Sequence, residues 1–219
     1  MKDIIELFLS PIGLSSFVTL ALAPLVVAYP IVWRKRTKRI TDYFNGQFSF
    51  FSSELRFDFS SHQFHLSRIA RGGGAVGMGG SFPVLWVYAQ KNSKFFIGHV
   101  DSCKYCYVGD LPKKHQLITI NNSQILLGND SEELNAKMLQ RLLETSDEIK
   151  ECIHNLFPNK FCHIKLRREL HIGGKFFISK KYVLRYYGIN EVIYQEPKVL
   201  ELQLQNIDTL LHCLEINLI

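Results

Sequence analysis

An α+β fold, with a membrane-spanning helix ahead of a mainly antiparallel sheet and two amphipathic helices, follows from three observations. Residues 7–33 carry no charged side chain. In several runs between residues 55 and 187, apolar residues alternate with polar ones, which is the period of a half-buried strand. Two stretches, about 131–156 and 198–218, place apolar residues three and four apart instead, the period of a helix with one buried stripe. Short turn-rich links between the alternating runs favour hairpins, and so an antiparallel sheet over a doubly wound one.

The first element is the uncharged stretch. The twenty-two residues 12–33 make a helix about 33 Å long at ~1.5 Å per residue, which matches a hydrocarbon core of about 30 Å. Pro24 and Pro30 would break a soluble helix but are better tolerated in a membrane. Tyr29 and Trp33 fall where amphipathic rings favour the lipid interface. A cleaved signal peptide is the rival. Pro24 directly after the "ALA" at 21–23, and a leader with Lys2 against Asp3 and Glu6, depart from the signal pattern and favour a retained anchor.

"WRKRTKR" sets the orientation. Arg34, Lys35, Arg36, Lys38 and Arg39 form a basic collar that holds this side in the cytoplasm, facing anionic lipid headgroups. The expected organisation is an anchor over 1–33, a basic and aromatic juxtamembrane segment over 34–53, and a cytoplasmic α+β domain over 54–219 at the cell inner membrane. The last divides into possible subdomains 54–157 and 158–219, because each group of strands ends in a helix.

After Ile40 the chain continues the membrane helix and becomes strand-like where Leu55, Phe57 and Phe59 alternate with Arg56 and Asp58. Phe64 and Leu66 alternate again. "FPVLWVYA" is a continuous apolar block, the mark of a strand buried on both faces. "KNSK" reads as its hairpin turn into "FFIGHV", and "QLITI" and "QILLG" flank Asn121, Asn122 and Ser123 as another hairpin. The first amphipathic helix opens on Asp130 or Ser131 as N-cap, carries Leu134, Met138, Leu142, Ile149, Ile153 and Leu156 along one stripe, and ends before Pro158. "CHIKLRRELHI" resumes the strand phase. Gly173 and Gly174 then mark a hairpin, with "KFFIS", "YVLRYYG" and "EVIYQ" continuing the alternating stretch. The second helix carries Leu200, Ile207, Leu211, Leu214 and Leu218.

Six of the fourteen glycines fall in residues 72–80. Gly72 to Gly77 fit the letters GxGxxG, but a dinucleotide site needs a helix to begin at once so that its N–H groups meet the pyrophosphate. Here Met78 to Pro83 lead into a strand, and the lysine of a phosphate loop is missing. The run reads as a connection between two strands.

"HVDSCKYC" holds the most compact set of metal-ligand types. On a strand His99, Asp101 and Cys103 share a face, and Cys106 completes a CxxC that could hold zinc, with Cys152, His154, Cys162 and His163 as further donors. A lone CxxC is a weak signal, so no cofactor is predicted and two reduced cysteines at a hairpin end are the preferred reading. His62 and His65, three apart on a strand, face opposite sides and make a poor metal pair.

The net charge of +6 is unevenly placed. The first 39 residues hold six basic residues against two acidic ones, and the other 180 hold twenty against eighteen. So balanced a body lacks the concentrated basic face of a nucleic-acid binder, and "KLRRE" and "SKKYVLRYY" read as solvated strand faces. No GxSxG, HExxH or cysteine-protease signature is present. The sequence therefore predicts a single-pass membrane protein whose cytoplasmic domain binds a protein or a lipid headgroup. The alternative is a tethered metal- or thiol-dependent hydrolase using His99, Asp101, Cys103 and Cys106.

Overall fold

The computed structural model describes residues 28–70, 81–90, 95–99, 114–120, 123–144, 146–158, 162–172, 178–216 and 218. Helix α1 covers 28–43. Its buried positions Pro30, Trp33, Thr37 and Ile40 recur three and four apart, so one stripe faces the body. The helix stops in a left-handed residue, Asn45 at φ 50°. The Gly46 N–H reaches back 2.8 Å to the Thr41 carbonyl, closing the last turn. Gly46 is required there, since a Cβ would meet the Arg56 carbonyl at 2.7 Å.

Nine strands follow: β1 (Gln47–Ser49), β2 (Glu54–Phe59), β3 (His62–Ala70), β4 (Ser81–Tyr88), β5 (Phe95–His99), β6 (Lys114–Ile120), β7 (Ser123–Asn129), β8 (His163–Ile172) and β9 (Ile178–Tyr187). They form one sheet in the order β1-β2-β3-β4-β9-β8-β5-β7-β6. All neighbours are antiparallel. Helices α2 (Glu132–Glu144), α3 (Asp147–Leu156) and α4 (Pro197–Cys213) join α1 in covering one face. A 3-10 turn, Glu191–Tyr194, leads into α4. The fold is thus α+β with a large antiparallel sheet.

One apolar cluster lies between sheet and helices. Leu55, Phe64, Leu85, Ile97, Ile164 and Leu184 come from the sheet, and Trp33, Met138, Ile153, Leu156, Leu204 and Ile207 from the helices. The opposite face of the same strands buries a smaller set, Val84, Trp86, Phe96, Leu126 and Val183. Central strand β4 therefore buries both faces, as its unbroken apolar run requires.

Several expectations are corrected. The single helix over 131–156 is two helices, because Ser146 is extended (φ −62°, ψ 162°) and Asp147 and Glu148 begin a fresh first turn. The helix over 198–218 ends at Cys213, where Glu215 turns left-handed at φ 53° and the Ile216 N–H bonds the Leu211 carbonyl. Ile216 and Leu218 are buried beyond that end, with Leu218 bridging to Ala89. The segment "EVIYQ" is no strand: the Asn190 side chain accepts from the Val192 N–H and starts the 3-10 turn. No hairpin joins β4 to β5, since β9 and β8 stand between them. The strands of 158–219 consequently sit in the middle of a sheet whose flanks come from 47–129.

No helix among the described residues is long and apolar enough to cross a membrane. Of the predicted span 12–33, residues 12–27 lie outside them. The described remainder belongs to α1, whose basic continuation through residue 39 packs on the folded body.

Candidate functional site

The basic collar lies on α1, and helical geometry divides it. Arg36 and Arg39 lie on the side turned to the body. Arg36 pairs with Glu191 at 2.6 Å and lies 4.8 Å from the centre of the Tyr194 ring. Arg39 donates to the Gln195 carbonyl at 3.1 Å. Trp33, 2% exposed, meets Tyr194 edge to face at 5.4 Å, and the Arg68 guanidinium lies 5.3 Å from its indole. Arg68 also donates to the second oxygen of Glu191. Farther along, Phe44 stacks on Phe57 at 4.8 Å and the Tyr43 hydroxyl donates to Glu201. Contacts from Trp33 to Phe44 thus dock α1 on the sheet and on the turn before α4.

The other side of α1 is different. Arg34, Lys35 and Lys38 are exposed, and their side chains pair with no described residue. Just ahead of them Tyr29, Ile31 and Val32 are exposed, Val32 at 63%. Trp33 does not occupy a lipid interface as its sequence position suggests, because the body offers it an aromatic pocket that removes it from solvent altogether. The five-residue collar reduces to three outward cations behind a short apolar surface.

The sheet face opposite the helices carries a second constellation that local sequence does not reveal. Register places Arg56, His65, Trp86 and Arg185 on successive strands β2, β3, β4 and β9. His65 stacks on Trp86 with centroids 3.7 Å apart. Its Nδ1 lies 3.5 Å from the Glu54 carboxylate, and neither imidazole nitrogen has a hydrogen-bond partner. Burial raises the Glu54 pKa, but His65 and Arg56 more than offset it and hold the carboxyl down to about 2. Glu169 receives Arg185 and Arg167, whose hydrogen bonds overcome its burial and lower its pKa too. Arg167 and Arg185 of "KLRRE" and "SKKYVLRYY" are thus drawn into intramolecular pairs with Glu169 on this face, with Arg167 still partly exposed. Alternation could have grouped these side chains by face; only strand order could bring the groups together.

Among the described residues no cluster of His, Cys, Asp or Glu is arranged to hold a metal. Asp101, Cys103 and Cys106 lie outside them, and His99 ends β5 half-buried. Cys152 donates from Sγ to the Asn206 carbonyl, and burial pushes its thiol up to about 12. Burial likewise raises the Cys213 thiol. Neither resembles an activated nucleophile, which needs a depressed pKa. Cys152, Cys162 and Cys213 are free thiols, and His154 is exposed while His163 is buried against the Tyr187 ring. His62 and His65 do face opposite sides of β3. The glycine run itself lies outside the described residues; after it Ser81 begins strand β4 and pairs with Ala70, where a dinucleotide site would continue as a helix. A cavity of about 870 Å³ between β3, α2 and α4 is lined by both charge signs, with Arg141, Glu144, Asp208 and Glu215 among its walls.

Comparison with known protein families, with curated proteins and with solved structures gives no match.

Proposed function

We propose that the chain is a single-pass inner-membrane protein whose cytoplasm-facing α+β body is held against anionic headgroups. The observation that carries this reading is the two-sided character of α1. One side is locked into the body through Trp33, Arg36, Thr37 and Ile40. The other presents Arg34, Lys35 and Lys38 directly after the uncharged stretch. Each cation near an anionic leaflet contributes about 1 kcal/mol, so the three together give about 3 kcal/mol of surface attraction. Because Trp33 belongs to the body, the span ends earlier than residue 33. The twenty-two residues 8–29 are equally uncharged and equally long. A rigid helix leaving such a span would set the body at a fixed attitude instead of trailing it on a tether.

The test uses the full chain with a tag at residue 219. It is expected to stay in the membrane pellet at alkaline pH, to resist protease added outside intact bacterial cells, and to be digested in inverted vesicles. The triple variant Arg34→Glu, Lys35→Glu, Lys38→Glu is expected to lose that uniform orientation. Release into the alkaline supernatant, or digestion of the tag from outside, refutes the reading.

A further inference from the structure

We infer that the β1–β2 turn is a second membrane contact, in which Phe50 and Phe51 enter the lipid interface beside the end of α1 that carries Ile31 and Val32. The inference rests on the membrane-anchored reading above and adds a surface to it.

Strand register fixes which end of the body this turn occupies. Phe44, near the close of α1, stacks on Phe57, which pairs with Phe64 of β3. Trp33, eleven residues earlier, lies under Arg68, four residues farther along β3. A helix rises about 16 Å over eleven residues and a strand about 13 Å over four, so α1 runs alongside β3 with its start at the Arg68 end. Leu55 pairs with Leu66, which puts Glu54 and the turn before it at that same end. Glu191 bonds both Arg36 and Arg68, so the 3-10 turn and Val192 are there too.

The exposed large apolar residues among those described concentrate accordingly. Tyr29, Ile31, Val32, Phe50, Phe51 and Val192 all lie at this end, and Phe51 is 103% exposed. Tyr43, Leu117, Leu143 and Leu202 are spread elsewhere. A fully exposed phenylalanine on a four-residue turn stabilises nothing within the fold. At the end from which an uncharged stretch departs, flanked by Arg34, Lys35 and Lys38, it meets acyl chains below anionic headgroups. Lipid fits this surface better than a second copy of the chain, because the apolar residues continue the uncharged stretch and the outward cations Arg34, Lys35 and Lys38 beside them would repel their own symmetry mates, while the exposed Glu191 is already paired with Arg36 and Arg68.

The experiment uses three variants of the full chain in nanodiscs of anionic lipid: Phe51→Trp, Leu20→Trp within the uncharged stretch, and Tyr43→Trp at the far end of α1. Each is measured with ordinary lipid and with lipid brominated on its acyl chains. Trp33 and Trp86 are buried and supply a common background that the parent chain subtracts. The expected result is loss of the added emission for Phe51→Trp and Leu20→Trp, with that of Tyr43→Trp retained. Quenching of Leu20→Trp with Phe51→Trp behaving like Tyr43→Trp overturns this inference and leaves the anchor standing. Blue-shifted but unquenched Phe51→Trp emission signals a protein contact and also overturns it. No quenching of Leu20→Trp defeats the anchored reading itself.

Discussion

Replacing Trp33 by alanine separates the two places this indole could occupy. At a lipid interface its loss would leave the body's unfolding free energy almost unchanged. In the structure it is 2% exposed, touches Tyr194 edge to face, and lies under the Arg68 guanidinium. Truncating a buried tryptophan to alanine removes its burial and leaves a cavity, a change that costs about 3–5 kcal/mol. The edge-to-face contact accounts for about 0.5–1.5 kcal/mol of that, which a double-mutant cycle with Tyr194→Ala isolates. The assay is urea unfolding of the full chain in nanodiscs, followed by fluorescence of the remaining Trp86. Trp33→Phe keeps a ring in the site and is expected to lose less. A Trp33→Ala midpoint equivalent to less than about 0.5 kcal/mol of destabilisation, the range of an ordinary surface change, refutes the docking of α1.

Three further outcomes are expected. Glu54 has a folded pKa of about 2 against 4.5 unfolded. Its stabilisation is therefore complete above pH 4.5 and is lost as pH falls through 2, about 3 kcal/mol in all. Acid titration of stability in Glu54→Gln should lack that share of the slope, and an unchanged slope would show the carboxylate is not held as described. Ser60 and Ser61 take positive φ (47° and 67°) in the two-residue β2–β3 turn, where Asn-Gly is the favoured pair. Ser60→Asn with Ser61→Gly is accordingly expected to raise the unfolding free energy by about 1–2 kcal/mol in denaturant titration, and a decrease would contradict the turn geometry. Gly98→Ala would put a Cβ 2.4 Å from the His163 Cβ and 2.9 Å from the Cys162 carbonyl. Thermal unfolding is expected to register about 1–3 kcal/mol of destabilisation, and a neutral result would show that β5 and β8 are not so closely paired.

Side-chain periodicity by itself determined that this chain is α+β, that the sheet is mainly antiparallel, and which side chains of Leu55–Phe59 or Ile164–Leu166 turn inward. Those properties depend on neighbours within one or two turns of chain, so a linear sequence displays them. It also displayed the β6–β7 and β8–β9 hairpins, whose flanking runs lie close together. Periodicity names the face a residue uses and is silent on its partner. The insertion of β8 and β9 between β4 and β5 depends on pairings such as Val87 with Leu184, 97 positions apart, and the expected hairpin across residues 91–94 gave way to it. The Ser60-Ser61 turn escaped notice because serine is a poor left-handed residue that only the closed hairpin stabilises. The same reason explains the collar. Five cations in six positions look equivalent in sequence, yet Glu191 and the Gln195 carbonyl, more than 150 residues away, engage Arg36 and Arg39 and leave the other three outward. Tertiary structure alone made that division, because an ion pair depends on distance in space and the sequence records only distance along the chain.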